Sequence, residues 1–163
     1  MLKTINSTMT VAGKTSKVIY HDTNDFDEVD PGKTTQAYGV CFYGDKMLIG
    51  FGGKKKSWGL VGGTIKAGET FVDTLKREIA EESNMEVLKY MPIGYQEVIY
   101  NEKYKIQLRY VCLVKPIAPF IKDPDGSVKE IKLIDPKDYK KYFDWGKVGE
   151  RIIKRAIDLK SKF

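Results

Sequence analysis

The sequence has little of the chemistry on which thiol and zinc sites depend. It contains one histidine, His21, and two cysteines, Cys41 and Cys112, in 163 residues. Zinc sites use several His and Cys ligands, so a zinc site is not expected. Two cysteines far apart in the sequence form neither a disulfide framework nor a local metal-binding motif. Acid–base or metal chemistry is therefore expected to depend on carboxylates, lysine or tyrosine.

Long apolar runs are also missing. The N-terminal segment lacks the apolar core of a secretion signal, and no stretch approaches the ~18–20 apolar residues that span a bilayer. We therefore expect a cytoplasmic protein that does not associate with a membrane. Lys and Arg number 28 and Asp and Glu 22, which gives a formal charge of +6. This excess favours polyanionic partners, although charge alone does not choose among nucleotides, nucleic acid and an acidic membrane surface.

The pattern of elements predicts one domain over residues 1–163, with an N-terminal extension and loop at 1–33 and a core at 34–163. Strand-like segments outnumber helices, which is typical of an α+β protein in which helices flank a mixed β-sheet. The N-terminal 20 residues are interpreted as one or two peripheral strands. Further strands are predicted at 34–43, 46–50, 88–100, 104–115 and 130–134, and helices at 70–83 and 147–160.

The predicted helix at 70–83 carries three carboxylates, Glu78, Glu81 and Glu82. On a helical wheel, Glu82 falls within the apolar arc of Leu75 and Ile79, and Glu78 lies at its edge. Carboxylates on the core side are costly to bury unpaired, and three on adjacent faces repel one another. A hard divalent cation would relieve both costs, because residues at i, i+3 and i+4 lie close together and Mg²⁺ or Mn²⁺ prefers oxygen ligands.

A glycine-rich segment precedes this helix. Eight of the 15 glycines fall between Gly44 and Gly68. Gly62-Gly63 allows the backbone to approach a ligand closely, so a carbonyl there can also contact a metal ion. The loop leads into a helix N-terminus, which favours anionic groups. We interpret the loop and helix as a metal-binding cleft suited to phosphate-ester or phosphoanhydride chemistry.

The segment from Gly63 to Met85 resembles the signature of the Nudix hydrolase family, G-x5-E-x7-R-E-U-x-E-E-x-G-U, in which U is aliphatic. Every charged position of that signature is filled at the right spacing. Asn84 replaces the last glycine of the signature, and asparagine also tolerates the left-handed conformation that ends a helix. The resemblance implies the Nudix fold, an α/β/α sandwich, here with an N-terminal strand extension.

The resemblance also implies a function, which is metal-dependent hydrolysis of a nucleoside diphosphate linked to another group. The expected cofactor is Mg²⁺ or Mn²⁺, and the expected partner is a nucleotide-type small molecule. The family pattern implies that the carbonyl of Gly63 contacts the metal and that Glu69 pairs with Arg77, which orients the helix carboxylates. The residues implied to be catalytic are Glu69, Arg77, Glu78, Glu81 and Glu82, and the implied metal ligands are Gly63, Glu78, Glu81 and Glu82.

Substrate-binding residues are harder to predict. Phe51 and Trp58 lie within the glycine-rich segment and can stack on a base, although packing within the protein is the simpler explanation of both. Lys55, within a run of three lysines, is a candidate phosphate contact. In many Nudix proteins a further base or ligand comes from outside the signature. The candidates for that role are Glu97, Glu102, Asp123, Asp125 and Glu130.

Three other interpretations are open at this stage. The first is a pyrophosphohydrolase that acts on RNA 5′ ends, for which strong salt dependence of RNA binding would speak. The second is a non-catalytic Nudix domain that senses a nucleotide, against which the complete carboxylate set argues. The third is a diphosphate isomerase, for which no added Cys or Glu acid–base set is visible. The sequence leaves the oligomeric state open, including a homodimer.

Overall fold

The computed structural model describes residues 1–52 and 56–163. These residues form one nine-stranded mixed sheet with a helix on each face. The sheet order is β1-β2-β7-β8-β3-β4-β5, with β6 paired to β3 and β9 paired to β4. The strands are β1 (Thr4–Val11), β2 (Lys14–Asp22), β3 (Thr34–Tyr43), β4 (Lys46–Gly52), β5 (Ser57–Gly59), β6 (Val61–Thr64), β7 (Met85–Tyr100), β8 (Lys103–Pro116) and β9 (Val128–Ile134); the helices are α1 (Phe71–Ser83) and α2 (Gly146–Lys160), and a 3₁₀ turn spans Pro136–Lys141.

Side-chain hydrogen bonds define the start of α1, and a backbone conformation defines its end. The Thr70 hydroxyl accepts a hydrogen bond from the Asp73 amide, and the Asp73 carboxylate accepts one from the Thr70 amide. This reciprocal pair is a capping box, with Asp where Glu or Gln is commoner. Asn84 ends the helix with φ 56° and ψ 38°, the left-handed conformation predicted for it.

Alternation along β3 separates the core into two layers. Ala37 and Cys41 pack with the apolar face of α1, whereas Val40 and Phe42 pack with α2. Successive side chains of a strand point to opposite faces, so one central strand supplies both layers. The result is the predicted α+β sandwich of helix, mixed sheet and helix.

The pairing of β3 positions the glycine-rich segment beside the sheet. β3 runs parallel to β8 on one side and antiparallel to β4 and β6 on the other. The sequence interpretation treated the stretch ahead of α1 as a loop, whereas Ser57–Gly59 and Val61–Thr64 are short strands. Glycine has low strand propensity, but pairing with β3 and β4 supplies hydrogen bonds that propensity does not reflect.

The N-terminal hairpin extends the sheet. β1 pairs with β2, and β2 pairs with β7, both antiparallel. Arg151 of α2 holds this hairpin through its contact with buried Asp22, with Nη2 and Oδ2 2.6 Å apart. β7 continues through Pro92-Ile93-Gly94, because a register shift against β8 absorbs the irregularity there. Among the described residues, neither helix has the length and apolar character needed to cross a membrane.

Candidate active site

Arg77 connects the start of α1 to the carboxylates further along it. Its Nε and Nη2 donate to the two oxygens of Glu69, at 2.7 and 2.9 Å. Its Nη1 donates to Glu78 at 2.9 Å and to Glu81 at 3.3 Å, and Nη2 also donates to the carbonyl of Thr64 at 3.0 Å. One guanidinium therefore fixes the loop and two of the three helix carboxylates, because its donors form a rigid planar fork.

Glu69 is held ionised by this network. It accepts hydrogen bonds from Arg77, from the Lys66 amide and from the Thr74 hydroxyl. The hydrogen bond from Arg77 is the main reason that the pKa of Glu69 falls to about 2. The same contact raises the pKa of Arg77. The predicted pair of Glu69 and Arg77 therefore forms. The hydrogen bonds from the Lys66 amide and the Thr74 hydroxyl also hold Glu69 in place, and the family pattern does not indicate them.

Glu82 is the most deeply placed carboxylate of the helix. It is 7% exposed, as its position in the apolar arc predicts. Its Oε1 accepts a hydrogen bond from the Gly62 amide at 2.6 Å. The pKa of Glu82 is raised to about 8, mainly by burial and also by Glu78, Asp123 and Glu81, while the hydrogen bond from the Gly62 amide opposes the rise. A buried carboxyl with this pKa is poised to lose its proton when a cation binds.

Glu78 lies directly against Gly63. A Cβ atom at Gly63 would sit 2.5 Å from the carboxyl carbon of Glu78 and 2.7 Å from both of its oxygens. Burial raises the pKa of Glu78, and the hydrogen bond from Arg77 opposes that rise. Gly63 therefore makes room for a carboxylate rather than for a turn.

Gly62 has a different role. Its φ is +151°, and a Cβ atom there would sit 2.3 Å from the carbonyl oxygen of Ala37 and 2.5 Å from Cα of Tyr38. No side chain fits so close to a neighbouring strand. Gly62 is therefore required for the pairing of β6 with β3, which also brings its amide to Glu82.

The donor set of this site fits a hard divalent cation. Glu78, Glu81 and Glu82 bring like charge together on one face, and Glu78 and Glu82 are largely withdrawn from water. Within residues 1–52 and 56–163, no three carboxylate, His or Cys side chains are already gathered as a metal site. One oxygen of Glu78 and one of Glu81 accept hydrogen bonds from the Arg77 guanidinium.

Two of the candidate carboxylates from outside the motif approach this site. Asp125 raises the pKa of Glu78, and Asp123 raises that of Glu82. Asp123 is buried and uses both oxygens to accept the amides of Asp125 and Val128, so its role is to hold the loop before β9. Asp125 is exposed and has its side chain available.

The other three candidates have different surroundings. Glu97 binds His21 at 2.7 Å and accepts a hydrogen bond from the Tyr104 hydroxyl at 2.6 Å. Glu102 lies exposed in the turn between β7 and β8, and Glu130 lies exposed on β9. Asp123 and Asp125 are therefore the candidates whose charge is seen to act on the α1 carboxylates.

The candidate base-stacking residues contact each other. Phe51 and Trp58 pair across β4 and β5, with ring centroids 5.3 Å apart. Trp58 also meets the Tyr142 ring at 5.7 Å, and the Lys132 ammonium lies 5.2 Å from the Trp58 ring centroid. Packing within the protein therefore explains much of both side chains. Lys55, the candidate phosphate contact, lies outside the described residues.

The sequence interpretation missed a buried polar cluster on β3, β7 and β8. Arg109, Gln107 and Gln96 are each less than a tenth exposed. They join the partly exposed side chains of Gln36 and Tyr38. One sequence feature indicated this cluster, because Arg109 interrupts the otherwise largely apolar stretch from Ile106 to Val114. Composition does not show, however, which face of the strand Arg109 occupies.

The fold and the site define this chain as a mixed-sheet α+β protein with a carboxylate-bearing helix behind a glycine loop. The family model of the NUDIX domain matches residues 33–155. The chain therefore belongs to the Nudix family. The matched residues begin just before β3, so β1 and β2 precede them.

Similar proteins agree with this assignment. The chain is 46% identical over 57 residues to an 8-oxo-dGTP diphosphatase of Buchnera aphidicola, a match that covers 35% of this chain and only 45% of that protein. A mutant of the Bacillus subtilis pyrophosphohydrolase BsRppH has the same fold with a TM-score of 0.70 at 14% identity, over 94% of this chain and 97% of that one. A MutT protein from Bacillus halodurans matches with a TM-score of 0.56 at 18% identity, over 73% and 78%.

Proposed function

We propose that this protein hydrolyses a phosphoanhydride bond in a nucleoside diphosphate linked to another group, with Mg²⁺ or Mn²⁺ as cofactor. The observation that carries the proposal is the placement of Glu78 and Glu82. One lies against Gly63, and the other is buried on the Gly62 amide. A structural role gives no reason to withdraw two acidic side chains of one helix face from water.

The residues divide into ligands and positioning groups. Glu78, Glu81 and Glu82 would hold the cation, together with the Gly63 carbonyl. A bound divalent cation neutralises charge on the diphosphate and lowers the pKa of a bound water. Arg77 and Glu69 set the positions of the ligands, since Arg77 contacts both Glu78 and Glu81.

The chain's own groups also serve the proton transfer. Hydrolysis adds water to one phosphorus atom, breaks its bond to the bridging oxygen and releases one proton at neutral pH. Glu78 is assigned as the general base, with Asp125 as the nearest alternative outside the helix. The burial that raises the pKa of Glu78 makes it a better proton acceptor than an exposed carboxylate.

Phe51 and Trp58 on β4 and β5 can contact an aromatic group of the substrate, because both side chains are only partly buried. The excess positive charge outside the acidic helix favours approach of an anionic substrate.

The test is metal-dependent turnover of a substrate panel. The purified protein is incubated with Mg²⁺ or Mn²⁺ and with nucleoside triphosphates, dinucleoside polyphosphates and nucleotide sugars, and products are identified by mass. Glu78→Gln and Glu82→Gln are expected to lose activity with an unchanged fold. Glu86→Gln is the matched control, because Glu86 is exposed on β7 and its one ion pair is with Lys115 at 3.6 Å among the described residues. Full activity in either helix variant would refute the assignment.

The same panel tests the remaining parts of the proposal. RNA with a 5′ triphosphate is the second substrate class, favoured by the charge of +6. Its binding should weaken steeply with salt if the basic surface contributes. A cytoplasmic location is supported by the two free, buried cysteines, and sedimentation would show whether a homodimer forms.

A further inference from the structure

Arg109 is a buried cation without a counter-charge among the described residues. It is 5% exposed, and no carboxylate of that part of the chain lies within ion-pair distance. Its Nη1 donates to the Leu108 carbonyl at 3.2 Å, and Nη2 donates to Gln107 Oε1 at 3.4 Å. Its Nε has no partner within the described ranges, and its guanidinium lies 4.8 Å from the centre of the Tyr38 ring.

Such a residue costs stability. Burial lowers the pKa of Arg109, which reports how unfavourable its charge is in this environment. Buried arginines ordinarily have a carboxylate partner, and an unpaired one is destabilising. The fold alone gives no reason for the charge, whereas a ligand with suitable acceptor atoms would complete its hydrogen bonds.

The hydrogen bonds of the neighbouring glutamine side chains run in a fixed direction. Arg109 can only donate, so the Gln107 atom that faces it is the oxygen. That oxygen also accepts from Gln96 Nε2 at 2.6 Å. The Gln107 amide nitrogen then donates to Gln36 Oε1, which leaves Gln36 Nε2 free within the described residues. The cluster therefore ends in two unused donors, one on Arg109 and one on Gln36.

The cluster opens towards the candidate active site. Gln36 and Tyr38 are partly exposed, whereas Arg109 is buried behind them. Tyr38 lies opposite Gly62, whose amide binds Glu82. Tyr38 therefore connects the two regions, because its strand neighbour Gly62 binds Glu82 and its ring lies 4.8 Å from the Arg109 guanidinium. A nucleotide with its diphosphate at α1 would extend over Tyr38 to reach Arg109.

We propose that Arg109 and Gln36 bind the O6 and N7 atoms of a 6-oxopurine base, guanine or hypoxanthine, beside Tyr38. Arginine commonly binds this pair of adjacent acceptors on guanine. Adenine offers N7 beside an amino group, so a donor would face a donor. An 8-oxopurine carries a proton on N7 and is disfavoured for the same reason. The inference rests on the proposed function, because it places the diphosphate at α1.

Binding of nucleoside monophosphates tests this without turnover, because they contain no phosphoanhydride bond. Calorimetry compares GMP, IMP, AMP and 7-deaza-GMP in the presence of Mg²⁺, with pyrophosphate as a probe for simple anion binding. GMP and IMP are expected to bind about tenfold or more tightly than AMP and 7-deaza-GMP. Arg109→Met and Gln36→Leu should remove this preference and leave pyrophosphate affinity unchanged.

The variants separate recognition from folding. Gln36 is partly exposed, so Gln36→Leu tests the site even if Arg109→Met fails to fold. Equal binding of GMP and AMP by the natural protein would overturn the inference, and so would a loss of pyrophosphate binding in Arg109→Met with base preference retained. A preference for GMP in a protein that hydrolyses no phosphoanhydride would refute the proposed function and support the base site. Hydrolysis without base preference would support the proposed function and overturn the base site.

Discussion

Replacement of Gly63 by alanine should inactivate the protein without unfolding it. The new methyl carbon would sit 2.5 Å from the Glu78 carboxyl carbon. Non-bonded carbons prefer about 3.5 Å, so the carboxyl group must move by about 1 Å. Gly63 has no left-handed φ, and the group in the way is the end of a flexible side chain. The strand should therefore survive, and the carboxylate should leave its place.

The size of the effect follows from that displacement. Misplacing a catalytic group by about 1 Å can cost about 100-fold in rate, or about 3 kcal/mol. We expect kcat with Mg²⁺ to fall by about that factor in Gly63→Ala, with a thermal midpoint close to that of the natural protein. Circular dichroism measures the midpoint, and phosphate release from the substrate identified in the panel measures kcat.

Two other glycines serve as references for this experiment. Gly59→Ala should be silent, because its Cβ would meet only Trp145 at 3.4 Å, on the α2 side of the sheet. Gly62→Ala should unfold or severely destabilise the protein, because its Cβ would meet backbone atoms of β3 at 2.3 and 2.5 Å. Full activity in Gly63→Ala would show that the position of Glu78 does not matter and would refute the reasoning.

Three further predictions concern charges. Folding raises the pKa of Glu82, so the metal-free protein should lose several kcal/mol of stability as pH rises from about 4.5 through about 8. Urea unfolding at pH 5 and 9 should show a smaller loss in Glu82→Gln than in the natural protein. Arg77→Lys should lower kcat about 10- to 100-fold in the same turnover assay with the fold intact, because lysine cannot bridge Glu69 and Glu78 at once. Arg109→Met should leave the thermal midpoint unchanged or raise it, and a large fall would show that Arg109 is a structural residue.

The active-site helix was predictable because its determinants are local. The capping pair Thr70 and Asp73, the left-handed end at Asn84 and the buried position of Glu82 all follow from spacing within one helix. The family signature covers the same segment, which is why residues 63–85 carried most of the prediction. The structure confirmed the helix and its caps and showed the contact between Glu69 and Arg77.

The short strands and the buried polar cluster on β3, β7 and β8 were not predictable for a common reason. β5 and β6 exist because β4 and β3 supply partners, and no property of their glycine-rich sequence indicates this. Which of the five candidate carboxylates act on the α1 carboxylates depends on the course of the loop before β9, which brings Asp123 and Asp125 near them. Each of these depends on contacts between residues far apart in the chain.

The grouping of the α1 carboxylates is a local property of the sequence, since a helix with carboxylates at i, i+3 and i+4 places them together wherever it packs. The surroundings of those carboxylates depend on tertiary contacts. The fold sets Gly63 against Glu78 and leaves Arg109 buried behind Tyr38, without a counter-charge in the described part of the chain. The physical reason is that helix periodicity is a short-range property, whereas burial and strand pairing depend on which distant segments meet.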